Sequence, residues 1–189
     1  MTIGPNECTR DQTTPVRYPA LFRSIQHGPV RCLFELANEP PPDDQIGNVT
    51  IVPFVDNQVV ILHLANGAVE VPGGTLEPNE TYLDALRREL HEEAGAELLT
   101  YTPFGCWHRE SSATQPYRPH LPHPHFCRLV GYGNITLIGN PTNPPDGEQV
   151  VIVEVVPVSE AAAKFQGIGR PDLADLYRLA RELRCSLNH

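Results

Sequence analysis

From Thr81 to Ala94 the chain has neither glycine nor proline, and then it meets Gly95. That pattern predicts a helix over 81–94 with the glycine at its C-terminal cap. Glu89, Glu92 and Glu93 stand at offsets 0, 3 and 4 within it. At about 100° per residue they fall in an arc of roughly 100°. Leu83, Leu86, Leu90 and Ala94 form an adjoining apolar stripe, and Asp84, Arg87 and His91 fill a third sector that faces solvent. The glutamates therefore flank the buried stripe, with Glu93 nearest to it and partly buried. Like charges at this spacing repel by roughly 0.2–0.5 kcal/mol per pair, and burial adds to the cost. A divalent cation relieves both, and carboxylate oxygens are hard ligands suited to magnesium or manganese.

The residues before the helix extend this constellation. Gly73-Gly74 permits a tight turn and a close backbone approach, and the Gly74 carbonyl is a further candidate ligand. Glu80 sits at the helix entrance, where the helix dipole favours a carboxylate. Arg88 is positioned to bridge acidic groups and hold their orientation. Three glutamates on a helix are, by themselves, usually a solvated face. Here they belong to a longer pattern: Gly74, five residues, Glu80, seven residues, Arg88-Glu89-Leu90, one residue, Glu92-Glu93, one residue, Gly95.

This stretch, Gly74 to Ala96, closely resembles the Nudix box. Every charged position and both glycines match; Ala96 stands where the family usually has a bulkier aliphatic residue, which reads as a packing adjustment. The resemblance extends from about residue 47 to 167. It implies an α/β/α sandwich around a mixed sheet, with the box as a loop-helix-loop, and hydrolysis of a nucleoside diphosphate linked to another moiety with magnesium or manganese. Carried onto this chain, it makes Glu89, Glu92 and Glu93 metal ligands together with the Gly74 carbonyl. Arg88 then orients a glutamate, and Glu80 is structural or a weaker metal contributor. The candidates for proton acceptor are Glu92, Glu93 and Glu148; the bland alternative for Glu148 is a solvated residue before a strand.

The remaining sequence reads as strands with few helices, an α+β pattern. Val30–Leu36, 49–55, 59–64 and 69–71 carry strand signals, with Asp56-Asn57-Gln58 as a hairpin turn. Further strands are expected over 104–108, 126–132, 135–138 and 149–156. Ser159 is a candidate N-cap for a helix to about Phe165, and Pro171 opens a last helix. Residues 1–45 form an N-terminal extension with an extra strand, and 46–189 the hydrolase domain with its C-terminal helix.

Substrate choice in the family lies outside the box. The proline-rich stretch 113–125 is the place to look: Tyr117 can stack on a base and Arg118 can hold a phosphate. Arg109 is a third substrate-binding candidate, with His108 beside it. For Trp107, core packing is the favoured role. His120, His123 and His125 invite a metal hypothesis, but a rigid loop over the pocket is the preferred reading.

A net charge of −9 argues against a nucleic-acid partner. No apolar run approaches the roughly 20 residues that span a bilayer, and Met1–Arg10 lacks a secretory pattern. The expectation is a cytoplasmic protein acting on a small nucleotide or diphosphate, with no membrane partner. The five scattered cysteines, from Cys8 to Cys185, are expected to be free thiols. A homodimer is left open, with Val30–Leu36 as the segment suspected of pairing. Two other functions compete: a non-catalytic sensor of a nucleotide ligand, and an RNA-end pyrophosphohydrolase.

Overall fold

The computed structural model describes residues 13–37, 39–145 and 147–186, so Cys8 and the rest of the first twelve residues lie outside it. Ten strands appear in chain order: β1 (Ile25–His27), β2 (Val30–Leu36), β3 (Ile46–Val55), β4 (Gln58–Leu64), β5 (Val69–Glu70), β6 (Gly73–Thr75), β7 (Ala96–Leu98), β8 (Thr102–Ser111), β9 (His125–Leu137) and β10 (Val150–Val156). The helices are α1 (Thr14–Arg17), α2 (Tyr82–Glu89), α3 (Val158–Gly167) and α4 (Pro171–Ser186).

The main path of the sheet runs β1-β2-β8-β9-β3-β4-β10, with β5, β6 and β7 attached to β4, β3 and β9. It is mixed: β3 and β9 run parallel, whereas β2 with β8 and β4 with β10 are antiparallel. One face carries a core of Phe34, Val52, Phe54 and Ile61 against α3 and α4. The other carries Val49, Ile51, Leu62 and Leu129 against Leu86 and Leu90 of the α2 region. Along β3, β4 and β9 the side chains alternate, so each of these three strands feeds both cores. The result is the expected α/β/α sandwich.

The N-terminal strand signal holds from Val30 to Leu36, and β2 pairs with β8 along its whole length. The preceding residues contribute to the core as well: Leu21 is fully buried, and Tyr18 Oη donates to Glu182 Oε2 at 2.6 Å. The hairpin turn also matches, with Asp56 at φ 54.

Three local expectations are corrected. First, 126–132 and 135–138 are one strand, β9. Gly131 and Gly133 within it let other segments come close: a Cβ on Gly133 would strike the Thr100 carbonyl, and one on Gly131 the Tyr101 ring. Glycine inside a strand often marks such an approach. Second, α3 begins one residue before Ser159; Pro157 is the N-cap and no side chain caps it. Third, the box helix is α-helical only through Glu89 and widens into a π-helical turn over Leu90–Ala94.

The arrangement of β3 positions the site. It meets β4 only at Phe54 with Val59 and Val55 with Gln58. Toward its N-terminal end the two strands splay, and β6 pairs with Asn48, Val49 and Thr50. The box therefore enters the sheet as a strand rung before it becomes a helix.

Candidate active site

Thr81 caps α2 by accepting from the Asp84 N–H at 3.2 Å. Ala85, Leu86, Leu90 and Ala94 are buried, whereas Asp84, Arg87 and His91 face solvent as expected. The π turn then resets the spacing after Glu89, a feature frequent at functional sites. It ends at Gly95, φ 57, where a Cβ would strike the Gly139 carbonyl. That contact holds the 139–149 loop against the turn. Thr142 and Asn143 N–H donate to the Glu92 carbonyl at 3.0 and 3.3 Å.

Arg88 organises the acidic groups. Its Nε and Nη2 make a fork on the two Glu80 oxygens at 2.9 and 3.0 Å. Nη1 reaches Glu89 Oε1 at 2.9 Å and Glu92 Oε2 at 3.3 Å, and Nη2 also donates to the Thr75 carbonyl. These contacts raise the Arg88 pKa, the Glu80 hydrogen bond most. Glu89 lies against Gly74: a Cβ on that glycine would collide with its carboxylate. Glu93 turns inward and accepts from the Gly73 N–H at 3.0 Å.

Burial pushes the Glu93 carboxyl up to about 8; Glu89 and Glu148 push the same way, and Arg128 opposes them. Glu89 is also raised, mainly by burial, with Arg88 pulling down. Glu148 is itself exposed, yet its charge reaches Glu93, so the loop brings it to the same neighbourhood.

The other sequence-derived candidates divide. Arg109 is partly buried, donates from Nη1 to Asn48 Oδ1 at 3.3 Å, and lies 5.8 Å from the Phe126 ring centroid. Tyr117 and Arg118 are exposed at a loop tip, with the guanidinium 5.8 Å from the tyrosine ring centroid. That loop docks on the box, because His120 Nε2 lies 2.8 Å from the Leu76 carbonyl oxygen. His108 points to the opposite sheet face from Arg109 and approaches Cys106 and Glu35. Trp107 is core, packed on Phe34.

Sequence reasoning missed Arg128, Asn48, Thr50 and Glu70. Arg128 stands opposite Trp107 on β8 and Asn48 on β3. The one available signal was an arginine inside the otherwise apolar run 126–132; its neighbours follow only from the strand register.

A family model described as NUDIX domain matches residues 45–178. Among solved structures, the pyrophosphohydrolase BsRppH of Bacillus subtilis, in a mutant form, is 16% identical with a TM-score of 0.51, covering 70% of this chain and 76% of that one. A NUDIX hydrolase from Nitrosomonas europaea is 20% identical with a TM-score of 0.47, covering 72% and 91%. No curated protein matches this chain in sequence. The chain belongs to the NUDIX family. It is a Nudix hydrolase, acting on pyrophosphate bonds.

Nudix hydrolases are generally dependent on divalent metals. The donor chemistry here fits such an ion: two desolvated carboxylates, Glu89 and Glu93, lie beside a glycine pair, of which Gly74 leaves room for the Glu89 carboxylate and Gly73 donates its N–H to Glu93. Among the described residues no three acidic, histidine or cysteine side chains converge on one point. Arg88 instead takes oxygens of Glu89 and Glu92, and the Gly73 N–H takes one of Glu93.

Proposed function

We propose that the protein hydrolyses the phosphoanhydride bond of a nucleoside-diphosphate-linked or related small molecule, using magnesium or manganese. One observation carries this reading: Glu89 and Glu93 are desolvated carboxylates held against Gly74 and Gly73, with Arg88 tying Glu89 to Glu92 and Glu80.

Glu89, Glu92 and Glu93, with the Gly74 carbonyl, would hold the cation. When bound, the ion supplies charge neutralisation at phosphate oxygens and a lowered pKa for water. Arg88 keeps Glu89 and Glu92 oriented while Glu80 fixes Arg88. Glu92, Glu93 and Glu148 are the candidates to accept the proton of the attacking water. Arg109 is a substrate-binding group, and Tyr117 and Arg118 are carried on a loop anchored to the box, suited to contact the rest of the substrate. The division into an extension over 1–45 and a hydrolase domain over 46–189 belongs to this reading, as do a cytoplasmic location and a homodimer.

The test is a hydrolysis screen over nucleotide sugars, dinucleotides, nucleoside triphosphates and non-nucleotide diphosphates, with magnesium and then manganese. Turnover of one class, sharply reduced in Glu92→Gln and Glu93→Gln, is the expected result. Turnover that survives both substitutions would remove the site from the reaction. Ligand-induced thermal stabilisation without turnover would favour a sensor.

A further inference from the structure

The described residues contain three buried polar side-chain atoms without a hydrogen-bond partner: Thr50 Oγ1, Arg109 Nε and Arg128 Nε. All three belong to one patch. Thr50 shares a sheet face with Val52 and Phe54, Arg128 with Val130 and Tyr132, and Arg109 with Trp107, by strand alternation. That is the face α3 and α4 cover further along. The register sets Arg128 beside Asn48, and Arg109 donates to the same asparagine.

Buried polar groups are nearly always satisfied, so each orphan needs a reason. Two arginines at one place need a stronger one. Burial lowers the Arg128 pKa to about 10, and Arg109 lowers it further by repulsion. The Arg128 guanidinium therefore stays charged near neutral pH. Neither arginine has a carboxylate within ion-pair distance among the described residues. Glu70 and Glu93 attract Arg128 only from longer range. A purely structural arginine in such a position would be paired.

The geometry points to a phosphoryl-binding subsite formed by Arg109, Arg128 and the Thr50 hydroxyl, which takes the anionic oxygens of a diphosphate on the side away from the box carboxylates. The three unpaired atoms are all able to donate, and the arginine fork matches phosphate oxygens. Glu93 and Arg128 sense each other's charge, so a group held by the arginines borders the carboxylate site. This inference rests on the diphosphate reading above and assigns the phosphoryl contacts within it.

The test measures binding of methylenediphosphonate, a diphosphate that cannot be cleaved at its bridge, to the metal-free full chain in a chelator. Calorimetry and melting temperature are read for the wild type, Arg109→Met, Arg128→Met, Arg128→Lys and Glu89→Gln. Expected is binding by the wild type that weakens at least tenfold in both methionine variants and persists in Glu89→Gln. Arg128→Lys should keep part of it, since charge remains and the fork is lost. The melting temperature of Arg128→Met without ligand should equal or exceed the wild type, because a half-buried guanidinium whose buried Nε has no partner has been removed. No binding by the wild type at millimolar ligand, or equal binding by the methionine variants, would overturn the subsite. Binding is read here without turnover, so failure of the subsite stays distinct from failure of the hydrolysis reading, which Glu92→Gln and Glu93→Gln test.

Discussion

Arg88 and Glu80 face each other as a two-pronged pair, Nε to Oε1 at 2.9 Å and Nη2 to Oε2 at 3.0 Å, across the first turns of the box helix. A lysine at 88 reaches one carboxylate, not three, so Arg88→Lys should cost about 1–3 kcal/mol of stability. It should also release Glu89 and Glu92 and reduce turnover. Denaturant midpoints and kcat measured on the same samples would check both. A variant with unchanged kcat would mean that Arg88 only stabilises the fold.

Gly74→Ala is the sharper probe of the carboxylates. The added methyl occupies the place of the Glu89 carboxylate. Displacement of a catalytic group by about 1 Å can cost roughly a hundredfold in rate, so kcat should fall by about that factor with little change in KM. Magnesium-induced thermal stabilisation should weaken in parallel. Wild-type stabilisation by magnesium in this variant would separate Glu89 from the metal.

His120 to Leu76 is a single hydrogen bond between an exposed loop and the box. Removing it in His120→Ala should cost no more than about 1 kcal/mol globally. Hydrogen exchange across 113–124 should rise, and KM should rise more than kcat falls. Unchanged exchange would show that the prolines alone hold the loop.

Glu154 gives a pH signature far from the chemistry. Its carboxyl is held below the ordinary 4.5 by a hydrogen bond with His63 at 2.6 Å, and Lys164 adds to the effect. The folded value lies below the unfolded one. The contribution is therefore present in full above the unfolded value and is lost as pH falls through the folded one. Compared with Glu154→Gln, the wild type should be more stable at about pH 6, and the difference should shrink as pH falls below the ordinary carboxylate range. A difference that persists in acid would point to a contact other than the ion pair.

The box was legible because its chemistry is local. Glu89, Glu92, Glu93, Arg88 and Glu80 sit on one helix and its lead-in, and helical periodicity alone sets their sector. Even there, the π turn over Leu90–Ala94 was hidden, since nothing in the composition distinguishes a wide turn from an ordinary one. The sandwich was legible through the family pattern, and β2 through its own alternation. The continuity of β9 was not legible, because the close approach of Thr100 and Tyr101 to its glycines is a property of the partner, not of the strand. The Thr50, Arg109 and Arg128 patch was invisible as a unit. Its members come from three strands far apart in sequence, and only the pairing of β3, β8 and β9 assembles them.

The wedge of β6 between β3 and β4 has a kinetic meaning. Gly73 gives its N–H to Glu93, and Gly74 makes room for Glu89, once 73–75 has paired with 48–50. The sheet must be largely built before the carboxylates find their seats. During refolding, recovered turnover should therefore never run ahead of strand formation, and a half-folded chain should be silent rather than slow.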